Sequence, residues 1–97
     1  MLKLNFHPDV SLEIKSSYQW YQKQAHGLGD DFLLELENSF DTILNFPDTW
    51  PLFNKSYRRF LLSKFPFSVL YRVVDNYIYI VAVMHNSRKP YYWNDRV

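Results

Sequence analysis

Apolar and polar residues alternate at the start of the chain. Leu2, Leu4 and Phe6 are separated by Lys3, Asn5 and His7, and a period of two predicts a short half-buried strand. Pro8 follows, a residue suited to the first position of a helix, with His7 as its cap. Val10, Ile14, Tyr18, Tyr21 and Ala25 then recur at intervals of four, four, three and four, an apolar stripe along one side of a helix. His26-Gly27-Leu28-Gly29 holds both glycines of the chain and marks a turn. Asp30 and Asp31 stand where carboxylates favour a helix start. The second stripe is Leu33, Leu36, Phe40, Ile43 and Leu44, and Pro47 ends it. Two amphipathic helices in succession predict a hairpin packed on something flat.

After a loop from Pro47 to Tyr57, three β-branched and aromatic runs supply the flat layer. They cover Arg58–Phe65, Phe67–Val74 and Tyr77–His85. Asp75-Asn76 is a two-residue connection that tolerates positive φ, so the last two strands form a tight hairpin. Counting from that turn pairs Val74 with Tyr77, Tyr71 with Ile80, Leu70 with Val81 and Ser68 with Val83. One face then carries Phe67, Val69, Tyr71, Val73, Ile78, Ile80, Ala82 and Met84 and receives the helices. The other carries Ser68, Leu70, Arg72, Val74, Tyr77, Tyr79, Val81, Val83 and His85. It is expected to present an apolar patch of Leu70, Val81 and Val83 to a partner, unless the C-terminal tail folds over it. The fold class is α+β, in the order β-α-α-β-β-β, with a helix hairpin on one face of a small twisted antiparallel sheet. Residues 1–97 form one domain without repeats or linkers.

Composition narrows the function classes. Eight Phe, eight Tyr and three Trp make 20% of the chain aromatic, which gives a small domain much area to bury. With no cysteine, disulfides and thiolate chemistry are excluded and a reducing compartment is compatible. No apolar run approaches the ~20 residues of a membrane span, and the first residues do not read as a signal peptide, so a cytoplasmic protein is expected. The net charge of +1 conceals an asymmetry. Residues 1–49 hold three lysines against eight acids, net −5, and residues 50–97 hold eight Lys/Arg against two acids, net +6. An anionic partner, nucleic acid or acidic peptide, is therefore sought in the second half. His7 is a helix cap and His26 a loop residue, and no ligand spacing suggests a metal or other cofactor.

Several segments in this order resemble the RelE/ParE toxin superfamily of type II toxin–antitoxin systems, and most resemble its ParE-like plasmid stabilization branch. They are Tyr18-Gln19-Trp20-Tyr21-Gln22-Lys23-Gln24 with Gly27-Leu28-Gly29-Asp30-Asp31-Phe32, then Arg58-Arg59-Phe60-Leu61-Leu62 and Phe65-Pro66-Phe67-Ser68-Val69-Leu70-Tyr71-Arg72-Val73. Val81-Ala82-Val83-Met84-His85-Asn86-Ser87-Arg88-Lys89-Pro90 and Tyr92-Trp93 complete the set. The resemblance implies two helices on a twisted antiparallel sheet and a cognate antitoxin that wraps the toxin with a partly disordered segment. It also implies growth inhibition through an essential target. ParE-like members poison DNA gyrase without evident catalysis; RelE-like members cleave mRNA on the ribosome.

The resemblance distributes roles between these alternatives. Metal-free RNA cleavage needs a base, a cation for the developing phosphorane charge and an acid for the leaving oxygen. An arginine that ribonuclease members carry three residues before the strand tyrosine is Ser68 here. Of two lysine positions on the preceding strand, one reads Arg59 and the other Leu61. His85, Arg59, Arg88 and Tyr92 are the catalytic candidates under that alternative, with Lys89 and Tyr91 beside them. The ParE-like reading instead assigns partner or target contact to Arg72, Leu70, Tyr79, Val81 and Val83. Arg72, inside the Tyr-Arg-Val pattern, can meet a partner carboxylate or pair across the strand with Tyr79. Pro90-Tyr91-Tyr92-Trp93 can stack on bases or close the core. Asp30, Asp31, Glu35 and Glu37 read as a solvated helix face.

Overall fold

The computed structural model describes residues 2–53, 56–88, 92–94 and 96. Strand β1 (Lys3–Phe6) leads into helix α1 (Pro8–Gln24) and helix α2 (Leu28–Asn45). Strands β2 (Arg58–Leu61), β3 (Phe67–Val74) and β4 (Tyr77–His85) follow, which is the expected β-α-α-β-β-β order. The four strands form one sheet in the order β1-β4-β3-β2. The last three are antiparallel, while β1 joins the far edge parallel to β4.

The local signals act as their chemistry requires. The Nδ1 atom of His7 accepts the Asp9 amide at 3.0 Å, so an imidazole caps α1. Gly27 turns between the helices at φ +83°, where a Cβ would strain the backbone. Gly29 has a different reason to be glycine. Its Cβ would lie 2.6 Å from Gln22 Cγ and 2.7 Å from the Tyr18 carbonyl oxygen. Its amide donates to Gln22 Oε1 at 2.7 Å, so α1 and α2 touch at this point. Asp75 takes φ +41° in the β3–β4 turn.

The helix pair packs on one sheet face around Val10, Phe32, Leu36, Ile43, Val69, Tyr71, Ile78 and Ile80, all at most 2% exposed. Tyr21, Phe32, Phe65 and Phe67 gather at the end nearest the helix turn. Their ring centroids are 4.9 Å apart for Tyr21–Phe65 and for Phe32–Phe67. Each such pair adds about 0.5–1.5 kcal/mol beyond its buried area.

Two expectations change. Strand β2 ends at Leu61 rather than Phe65, because the Glu35 carboxylate on α2 takes up the amides of Ser63 and Lys64 and bends the chain out of the ladder. Glu35 is thus a structural acceptor and not part of a solvated face. The larger change is in the hairpin. The counted register holds from Val74↔Tyr77 to Tyr71↔Ile80 and then slips by one residue, so that Leu70 pairs with Ala82, Val69 with Val83 and Ser68 with Met84. One extra residue on β4 at this point is a β-bulge, and everything beyond it changes face. Val83 joins the helix-side core, whereas Ala82 and Met84 join the opposite face.

Gly29→Ala should lower stability by about 1–3 kcal/mol through overpacking against Tyr18 and Gln22; a thermal melt superimposable on the parent's would contradict the close helix approach. Burial holds the Tyr71 phenol up at about 12, and its hydroxyl donates to the Pro47 carbonyl at 2.7 Å. The folded state therefore keeps this proton more tightly than the unfolded chain, and the stability it confers disappears as pH rises from about 10 to about 12. Tyr71→Phe should make alkaline unfolding less steep over that window, measured by denaturant midpoint against pH.

Candidate functional site

The sheet face away from the helices is not a bare layer. Tyr57, Leu70, Val81, Ala82, Met84 and Trp93 form a second buried cluster, with Phe53, Tyr79 and Tyr92 packed around it. Trp93 lies at its centre at 0% exposure, its ring centroid 4.8 Å from Tyr57 and 5.9 Å from Phe53. The tail therefore closes a core, the outcome set against base stacking for this aromatic segment; Pro90 and Tyr91 lie outside the described residues.

This arrangement corrects the expected contact patch. Leu70 and Val81 do face away from the helices but are 0% exposed beneath the chain's own aromatics, and Val83, turned by the bulge, is 1% exposed on the helix side. None of the three can meet a partner directly. Arg72 and Tyr79 remain half-buried at the rim, opposite each other in the β3–β4 ladder.

Around Trp93 the arginines lie on rings. The Arg59 guanidinium carbon is 5.3 Å from the Phe53 ring centroid, that of Arg72 is 6.0 Å from Tyr57, and that of Arg88 is 4.1 Å from Tyr92. Each cation over a ring gains about 0.5–1 kcal/mol at an exposed site. Arg59 is held further: its Nε donates to Ser68 Oγ at 2.9 Å, and Ser68 Oγ donates to Asn86 Oδ1 at 2.5 Å. Ser68 thus does lie beneath Arg59, buried, on the face expected for it. Among the described residues, none of these three arginines has a carboxylate within 4.0 Å.

The acid that does reach this face comes from α1. Glu13 accepts the Tyr92 hydroxyl at 2.6 Å, Arg96 Nη1 at 2.9 Å and the Val83 amide at 3.1 Å. Arg96 Nη2 also lies 3.7 Å from Asp9, one turn earlier on the helix. Burial pushes the Tyr92 phenol well above its ordinary value, and the bond to Glu13 raises it further. Burial likewise raises Tyr79, helped by the neighbouring Tyr57 and Tyr77 and opposed by Arg96 and Arg72.

The four ribonuclease candidates converge only in part. The bulge turns His85 to the helix side, where its ring is 5.1 Å from Phe67 and its Nδ1 lies 2.7 Å from the Ser87 hydroxyl. Arg88 lines one cleft with His85, but Arg59 is held on the opposite face by Ser68, and the Tyr92 hydroxyl donates to Glu13. Sequence reasoning missed Glu13, Tyr57 and Phe53. Glu13 sits beside Ile14 on the apolar stripe, and that neighbourhood is the one signal a carboxylate turned inward leaves. Among the described residues no cluster of three potential metal ligands occurs, and no helix is long and apolar enough to cross a membrane.

Residues 4–90 match the family model described as the ParE toxin of the type II toxin–antitoxin system parDE. The chain belongs to the ParE toxin family. Its backbone also matches a solved structure, the chromosomal ParDE toxin–antitoxin system from P. aeruginosa, with a TM-score of 0.78 at 16% identity over 88% of this chain and 96% of that one. At that identity the likeness concerns the fold. No curated protein matches the sequence.

The toxin's second core makes a stability claim. Trp93→Ala should cost about 3–5 kcal/mol, the usual range for emptying a buried aromatic site. A denaturant midpoint within error of the parent would mean that the tail does not close the core.

Proposed function

We propose that this toxin is a non-catalytic inhibitor of DNA gyrase, kept inactive by a cognate antitoxin, and that the rim of Arg59, Arg72, Tyr79 and Arg88 is its target-contact surface. The observation that carries the reading is the set of three guanidinium groups stacked on aromatic rings around Trp93, without carboxylate partners among the described residues. The rings order all three groups; Arg59 is further engaged by Ser68 and Asn86, whereas Arg72 and Arg88 keep edge N–H donors that suit carboxylates or phosphates on a partner. The acids of this chain lie mainly on the helical side, so the rim presents positive charge to an approaching macromolecule.

The same geometry supports binding over RNA cleavage. A general acid near neutral pH needs a proton held near that pH, and the Tyr92 phenol is driven away from it while donating to Glu13. His85 packs its ring on Phe67, across the sheet from Arg59, the cation that the ribonuclease reading places on β2. The antitoxin has apolar surface to cover on the other side of the molecule. Leu12, Trp20, Leu34 and Leu61 are each more than half exposed on α1, α2 and β2. Trp20 borders a cleft of about 540 Å³ shared with Tyr21, Phe67 and His85.

The deciding experiment incubates purified toxin with gyrase and relaxed plasmid, and in parallel with translating ribosomes followed by mapping of mRNA ends. Loss of supercoiling or trapped gyrase–DNA cleavage is expected, with mRNA ends unchanged; new ends at codon boundaries with unimpaired gyrase would replace the proposal by a ribonuclease. Arg72→Ala and Arg59→Ala should each reduce toxicity at least about tenfold, the effect of removing roughly 1.4 kcal/mol of contact energy. Both variants should melt close to the parent temperature, and undiminished toxicity in both at equal soluble level would remove the rim from the site.

A further inference from the structure

Glu13 is on α1, yet it accepts from Tyr92 and Arg96 of the tail and from the Val83 amide on the edge of β4. Strand β1 covers the edge of β4 only from Tyr77 to Ile80, and α1 begins immediately afterwards. The β4 edge beyond that point would be open. Instead Glu13 Oε1 accepts the Val83 amide, and Arg96 Nη1 donates to the Val81 carbonyl at 3.3 Å. Glu13 Oε2 then receives both the Tyr92 hydroxyl and Arg96 Nη1. The carboxylate is 12% exposed and Arg96 14%, so these are partly desolvated, charge-assisted bonds rather than a loose surface pair.

Tyr92 is the link to the rim. The face of its ring carries Arg88 at 4.1 Å, the shortest of the rim's cation–ring contacts, and Arg96 at 5.1 Å. Arg88 itself is exposed, at the exit of β4, with its amide bonded to the His85 carbonyl and no ion pair among the described residues. Its guanidinium therefore rests on a ring whose hydroxyl is held by one acid. We infer that Glu13 is a positioning residue: through the Tyr92 hydroxyl it fixes the ring on which Arg88 lies, and so sets where Arg88 meets the target. This rests on the rim's being the contact surface, and the experiment separates the two claims.

Ring-current shifts report Arg88 directly. In the parent, the Arg88 Hδ and Nε–H resonances should lie upfield of free arginine because of the Tyr92 ring. In Glu13→Ala they should return to free-arginine positions, while Glu13→Gln, which can still accept from Tyr92, should retain most of the shift. Tyr92→Phe keeps the ring but removes the tether, and it stands in for Glu13→Ala should that variant fail to fold. Toxicity is measured alongside. Glu13→Ala should fall to the level of Arg88→Ala, and the double variant should be no worse than either, as expected for residues acting through one another. Unchanged Arg88 resonances in Glu13→Ala and Tyr92→Phe would overturn the positioning role whatever the toxicity. Arg88 released with toxicity undiminished would instead overturn the rim as the contact surface.

Discussion

The organisation of the molecule depends on one extra residue in β4. Up to Tyr71↔Ile80 the β3–β4 ladder alternates as an ideal hairpin would; beyond it the register has moved by one. Since side chains alternate strictly along a strand, a single slip exchanges faces for every later residue. Without it Val83 would leave the helix-side core and Met84 would enter it, and His85 would stand with the arginines. With it, the far face receives Val81, Ala82 and Met84, a continuous apolar floor long enough to seat an indole. The bulge thus completes the floor of the second core and turns His85 onto Phe67 in the same step.

A second core is an efficient solution for so small a chain. The four-stranded sheet has two faces, and the helical hairpin covers only one. Leaving the other bare would expose Leu70 and Val81 to water at roughly 25 cal/mol per Å² of apolar surface. The chain covers it with Phe53 and Tyr57 from the loop before β2 and with Trp93 from the tail. The cover is itself pinned. Arg58 Nη1 donates to the Trp50 carbonyl at 2.7 Å, and the Leu52–Arg58 bridge extends the sheet edge. High aromatic content, visible in the composition, is spent on both cores.

The elements were legible because local chemistry and the fold agree. Stripes of period 3.6, the His7-Pro8 start, the glycine pair and Asp75-Asn76 each produced the element they predict, and the resemblance to the ParE branch rests on those segments. The faces were legible only as far as the ladder was regular. A bulge without glycine leaves no mark in a run such as Ile80-Val81-Ala82-Val83-Met84, where each residue is equally at home on either side. The counted register therefore misassigns Ala82, Val83, Met84 and His85, whereas Leu70 and Val81 lie on the expected face and are covered by the loop and the tail. The tail could not be assigned from Tyr92-Trp93 alone, since an aromatic pair serves stacking and core closure alike. Glu13 was hidden for a related reason: its role comes from a backbone amide seventy residues away.

The charge asymmetry of the sequence acquires a physical meaning from how each sign is used. Glu13 and Glu35 are consumed internally, where each takes up backbone N–H groups that sheet pairing cannot reach: Val83 on the β4 edge, and Ser63 and Lys64 where β2 ends. A carboxylate is acceptor-only, so it suits a site whose unmet need is a donor's partner. The arginines of the second half are treated oppositely. Arg59, Arg72 and Arg88 are laid on aromatic rings without a carboxylate partner among the described residues, an interaction that orders the guanidinium without neutralising it, whereas Arg58 and Arg96 are paired with acids. Two of the ten acids are turned to backbone amides in this way, while Arg59, Arg72 and Arg88 sit over rings with no carboxylate partner among the described residues, so the positive charge around Trp93 is ordered without being neutralised.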